Sequence, residues 1–142
     1  MSDPFGLERF VRAQDEHGTY TRALGELRAG RKQGHWMWFV FPQLAGLGSS
    51  AMSQTYAIGS LQEARAYLTH PVLGERLREC AAALAALGDV SPERVLGHVD
   101  ALKLRSSLTL FERADPSESL FARLLEQLYG GVRDERTERA LA

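Results

Sequence analysis

Between Pro71 and Gly88 the residues Leu73, Leu77, Cys80, Leu84 and Leu87 recur at spacings of 4, 3, 4 and 3. That rhythm follows the 3.6-residue turn of an α-helix and lays all five side chains along one apolar stripe. Such a stripe is stable only when another element covers it. A chain built from stripes of this kind folds as packed helices.

Helix boundaries punctuate much of the remaining chain. Residues 5–14 read as a first short helix with Phe10 and Val11 inward. Residues 20–29 read as a second, with Leu24 and Leu27 inward and Gly30 as its stop. Ser60 and Glu63 have the spacing of a capping box and open a helix through Tyr67 and Leu68 that ends before His70-Pro71. Ser91-Pro92 reads as an N-cap followed by proline at the first helical position, and Asp115-Pro116 repeats the device. Asp100 is placed to cap a helix carrying Leu104, Leu108 and Phe111. Gly130-Gly131 closes the one that follows, and Asp134 opens a last short one. The expected fold is all-α, a single domain over residues 1–142 with about seven short-to-medium helices.

One stretch breaks the pattern. Residues 36–41, WMWFVF, hold both tryptophans in six consecutive apolar positions, directly after the basic run RAGRKQGH. This segment is expected to be extended or irregular, with a buried helical turn as the alternative. If extended, Trp36, Trp38 and Val40 face one way and Met37, Phe39 and Phe41 the other.

Composition narrows the partners. A formal net charge of −1 gives no general attraction to DNA, RNA or anionic lipid, so no nucleic-acid partner is expected. No apolar run approaches the ~20 residues that span a bilayer. The single cysteine, Cys80, offers no intrachain disulfide, and MSDPFGLERF lacks a secretory leader's pattern. A cytoplasmic location is the expectation. His17, His35, His70 and His98 show no tight ligand spacing, so neither a metal site nor a cofactor is expected.

Taken together, GRKQGHWMWFVFPQLAGLGSSAMSQTYAI, EARAYLTHPVLGERLRE and DALKLRSSLTLF closely resemble an uncharacterised bacterial family, the domain of unknown function 1810. The resemblance implies a mainly helical single domain and carries over no catalytic residues. Some members bear a calpastatin label, which conflicts with the well-patterned core here, because the calpain inhibitor is a disordered chain.

Several groups suggest chemistry. Lys103, Ser106 and Ser107 lie at i, i+3 and i+4, a cradle for a carboxylate or phosphate, or a lysine–serine nucleophile pair if burial lowers the lysine pKa. The plainer alternative is a solvated face on which Lys103 answers Asp100. Residues 46–51 match G-x-G-x-x-A, but Pro42 interrupts the strand that a dinucleotide fold requires, which leaves at most a small anion nest with Ser49 and Ser50. Lys32 and His35 beside Trp36 and Trp38 suggest a basic lip over stacking walls, against the alternative of tryptophans as core fillers. His70 before Pro71 is expected to bond a helix end rather than catalyse.

The leading expectation is a small anionic ligand of nucleotide or phosphate type. Trp36 and Trp38 would provide walls, and Lys32, Lys103, Gln43, Ser49, Ser50, Ser106 and Ser107 would provide contacts. His35 and Lys103 are the catalytic candidates, with enzyme activity left open. The alternative is a non-catalytic interaction module or homodimer. A weaker one is an ADP-ribose- or NAD-linked hydrolase, to which no motif residue matches.

Overall fold

Local side-chain caps set where several helices begin in the computed structural model, which describes residues 3–142. The order is α1 (Glu8–Asp15), a 3-10 turn (Glu16–Gly18), α2 (Thr19–Ala29), α3 (Met37–Val40) and α4 (Ala51–Thr55). It continues with α5 (Leu61–Thr69), α6 (Leu73–Ala86), α7 (Pro92–Leu96), α8 (His98–Ala114), α9 (Ser119–Tyr129) and α10 (Glu135–Leu141). The fold is all-α, and no strand forms among the described residues.

The Ser60 hydroxyl accepts from the Glu63 amide at 3.1 Å, as the capping box predicts. The returning carboxylate of Glu63 takes the Gly59 N–H at 3.0 Å, one residue before its expected partner. Ser91 caps α7, and Asp134 caps α10 by accepting from the Thr137 amide at 2.9 Å. His70 does bond a helix end, its Nδ1 accepting from the amides of Val72 and Leu73 at 3.1 and 3.2 Å.

Two expected caps are different. Helix α8 starts at His98, ahead of Asp100, and the Asp100 carboxylate is drawn off by lysines. Asp115 follows α8 and accepts from the amide and hydroxyl of Ser117, closing a turn before α9.

Helix α8 is the central element. Leu104, Leu108, Leu110, Phe111 and the small polar residues Ser106, Ser107 and Thr109 are all buried, so most of its circumference is covered. Helices α5, α7, α9 and α10 pack on it, and α6 bridges α2, α5 and α9. Helix α6 buries Leu73, Leu77, Cys80 and Leu84 along the stripe read from the spacing. A chain of rings runs through the core in the order Phe39, Tyr56, Phe10, Tyr67, Phe111 and Phe121, with centroids 5.2–6.0 Å apart. These separations suit offset or edge-on aromatic contacts.

The aromatic run takes the helical alternative. Residues Met37–Val40 form one α-helical turn, and Trp36, Met37, Phe39, Val40 and Phe41 are all buried, leaving Trp38 half-buried. The two-faced alternation of an extended segment is therefore absent. With α1 packed against the turn, one side cannot open as a cleft wall. Gln14 secures the turn from α1, its amide donating to the Phe39 carbonyl at 2.7 Å.

After Pro42 the chain pairs briefly with the segment after α4. The Ala45 amide donates to the Ile58 carbonyl and the Ile58 amide to the Gln43 carbonyl, both at 2.8 Å, around an isolated parallel bridge between Leu44 and Ile58. These bonds close the base of the excursion through residues 46–56. No strand enters the G-x-G-x-x-A turn, and the helix after it has five residues, so the dinucleotide fold is absent.

Candidate functional site

The Gly30–Trp36 connection determines what becomes of the basic run. Glu26, in the last turn of α2, accepts from the amides of Gln33 and Gly34 and from Trp36 Nε1, at 2.7, 2.9 and 2.9 Å. Partial burial opposes its ionisation, but these three donors outweigh it and hold the carboxyl below its ordinary range. Trp36 is 1% exposed, so it fills the core and cannot wall a ligand site.

Lys32 is committed as well. Its ammonium lies 2.8 Å from Asp100 Oδ2 and donates to the Gly34 carbonyl at 2.6 Å. It also stacks 5.1 Å from the Trp36 ring centroid, and its side chain is 9% exposed. His35 is exposed and lines none of the cavities described here.

Asp100 has a second cation. Lys103 Nζ stands 3.7 Å from Asp100 Oδ1 and 4.9 Å from the Trp38 ring centroid. One carboxylate on the first turn of α8 thus ties together the two lysines that cover the two tryptophans. The indole Nε1 of Trp38 is buried with no protein partner.

Past this clamp Lys103 borders a pocket of about 350 Å³. One wall is the α8 face that carries Val99, Leu102, Lys103 and Ser106, positions i, i+3, i+4 and i+7. The other comes from Gln43, Leu47, Gly48 and Ser53 of the bridged excursion, and Arg105, Asp134 and Arg136 complete the lining. The excursion is closely packed, since a Cβ on Gly48 would lie 2.6 Å from the Ser53 hydroxyl.

Three cations and one carboxylate face this space. The carboxylate is occupied, because Asp134 Oδ2 accepts from both the amide and the hydroxyl of Thr137. Arg105 Nε is buried without a hydrogen-bond partner, and neither Arg105 nor Arg136 has a salt bridge among the described residues. Thr109 ties this corner to α8: its hydroxyl donates to the Arg105 carbonyl at 2.8 Å and accepts from the Asp134 amide at 3.0 Å.

The sequence-derived candidates therefore divide. Gln43, Lys103 and Ser106 meet at the pocket, with Gly48 from the glycine turn. Trp36, Lys32, His35, Ser49, Ser50 and Ser107 are outside its lining. Trp38 reaches it only through Lys103. The Ser50 hydroxyl caps α4 by accepting from the Ser53 amide and donates to the Ser53 hydroxyl at 2.8 Å, so the proposed nest loses one of its donors. No hydrogen bond joins Lys103 to Ser106 or Ser107 among the described residues: Ser106 donates back to the Leu102 carbonyl at 3.2 Å, and the Ser107 hydroxyl is buried without a partner. That geometry offers no lysine–serine nucleophile pair.

Sequence reasoning missed Arg105 and Arg136. Arg105 is two residues beyond Lys103, off the i, i+3, i+4 face that was read, and Arg136 is in a charged C-terminal helix with nothing local to single it out. Val99 and Leu102, 62% and 47% accessible, are exposed apolar residues on the same face of α8, an exposure that local sequence does not reveal.

No curated protein matches the chain. A conserved hypothetical protein from Mycobacterium tuberculosis, known from its crystal structure, is 52% identical over 98% of each chain and superposes with a TM-score of 0.94. The family described as "protein of unknown function (DUF1810)" matches residues 4–141. The match spans nearly the whole sequence, and the chain belongs to that family.

Proposed function

We propose that the protein binds a small anionic ligand of phosphate type in the pocket between α8 and the 43–53 excursion. The observation that carries this reading is the charge balance of the lining. Lys103, Arg105 and Arg136 converge there, and the single carboxylate, Asp134, is already engaged in capping. Arg105 borders the pocket with no carboxylate partner among the described residues, its guanidinium carbon 5.9 Å from the Tyr129 ring centroid. Guanidinium groups suit phosphate because their fork donates two parallel hydrogen bonds. Gln43, Ser53 and Ser106 add polar contacts, and Leu47, Val99 and Leu102 an apolar side for the body of the ligand. The reading assigns no bond-making step, since His35 is away from the lining and Lys103 is paired with Asp100 rather than with a serine.

A thermal-shift series with inorganic phosphate, nucleotides and phosphorylated metabolites tests this. A ligand present at a hundredfold excess over Kd stabilises the native state by about 2.7 kcal/mol. The expected result is a rise in melting temperature that Arg105→Gln and Lys103→Ala each abolish. The exposed pair Val99 and Leu102 favours a second reading, a protein-interaction or homodimer surface on the same face. No shift with any anion, together with a melting temperature that rises with protein concentration, would select that reading instead.

A further inference from the structure

A second cavity of about 330 Å³, lined by Ala45, Gly46, Leu47, Arg136, Arg139 and Ala140, shares Leu47 and Arg136 with the first. The two cavities adjoin at these residues, the excursion contributing Leu47 to both and α10 contributing Arg136 to both. Together they hold two basic centres: Lys103 and Arg105 at the α8 end, Arg136 and Arg139 at the α10 end.

Building on the anion-binding reading above, we propose that these adjoining cavities take a ligand with two adjacent anionic groups, a condensed phosphate such as pyrophosphate or the diphosphate of a nucleotide.

Three features support two anionic groups rather than one. Arg136 and Arg139 are three residues apart on α10, so their side chains project from neighbouring positions on one helix face. Arg136 is at the junction, where it can serve an anion in either cavity. Among the described residues Arg139 has only Glu135 as an ion-pair partner, at 3.5 Å, with both side chains more than 70% exposed. An ion pair that open to water contributes little and yields readily to a multiply charged ligand. A single phosphate held by Lys103, Arg105 and Arg136 leaves Arg139 unused, and a condensed phosphate extending past Arg136 engages it as well.

The test compares inorganic phosphate with pyrophosphate by titration calorimetry at fixed ionic strength, using the full chain and the variants Arg139→Gln and Lys103→Gln. Arg139 is exposed and supports no buried contact, so its variant retains the fold, and a melting curve checks this. Pyrophosphate is expected to bind about tenfold or more tightly than phosphate, the scale of one added charged hydrogen bond. Arg139→Gln should erase that preference without weakening phosphate, while Lys103→Gln weakens both. Equal affinities in the unmodified protein, or a preference that survives Arg139→Gln, would overturn the two-anion proposal and leave a single-anion pocket. Binding of neither probe would overturn the anion-binding reading itself.

Discussion

At the scale of single residues, two carboxylates organise the part of the molecule around the tryptophans. Glu26 gathers three donors from the basic connection, and Asp100 holds Lys32 and Lys103. Glu26 is not conspicuous in the sequence, because its partners are outside its own helix; Asp100 reads there as a helix cap and as the partner of Lys103, but nothing local points to Lys32. The depressed pKa of Glu26 has a definite consequence for stability. The folded state binds its proton more weakly than the unfolded chain, so its contribution is complete above the ordinary value of 4.5 and is lost as pH falls through the lower folded value. Melting temperatures of the protein and of Glu26→Gln should differ most near neutral pH and converge below pH 4.5. A gap that widens on acidification would refute this account of Glu26.

At the scale of elements, helix ends were legible where the cap is local, as at Ser60, Ser91 and Asp134, and misread where a distant group competes, as at Asp100. Close approach between elements was not legible at all. Gly74, in the first turn of α6, lies so near the end of α5 that a Cβ there would be 2.0 Å from the Leu68 carbonyl oxygen. That oxygen is backbone and also accepts from Arg78, so it cannot move aside cheaply. Gly74→Ala is expected to destabilise the protein by about 3 kcal/mol. Gly25→Ala is the matched control, since nothing lies within 4 Å of its would-be Cβ in α2. There the loss of unfolded-chain entropy should raise stability by about 0.5 kcal/mol. Urea denaturation midpoints of the two variants should move in opposite directions.

At the scale of the whole molecule, the core closes around α6 and α8, and Cys80 reports on its closure. The thiol is fully buried, and burial pushes its pKa up to about 12. Alkylation needs an exposed thiolate, so it requires an opening of the core. At pH 8 the native protein should react with iodoacetamide about a hundredfold or more slowly than the urea-unfolded chain. Reaction at the unfolded rate would mean that α6 detaches from its neighbours without global unfolding. Among the described residues no helix is long and apolar enough to cross a membrane.

Local chemistry in the chain determined the helical class, the buried stripe of α6 and many helix ends, because these depend on contacts within a few residues. It also singled out Gln43, Lys103 and Ser106, which the structure brings to the lining of one pocket. Only the tertiary structure decided that Trp36 and Lys32 are sealed inside while Arg105 and Arg136 line the pocket. The physical reason is that a cation's availability depends on whether a carboxylate from another element reaches it. Asp100 reaches Lys32 across 68 positions of sequence, whereas Asp134 turns back to cap its own helix and leaves Arg105 and Arg136 without a salt bridge among the described residues.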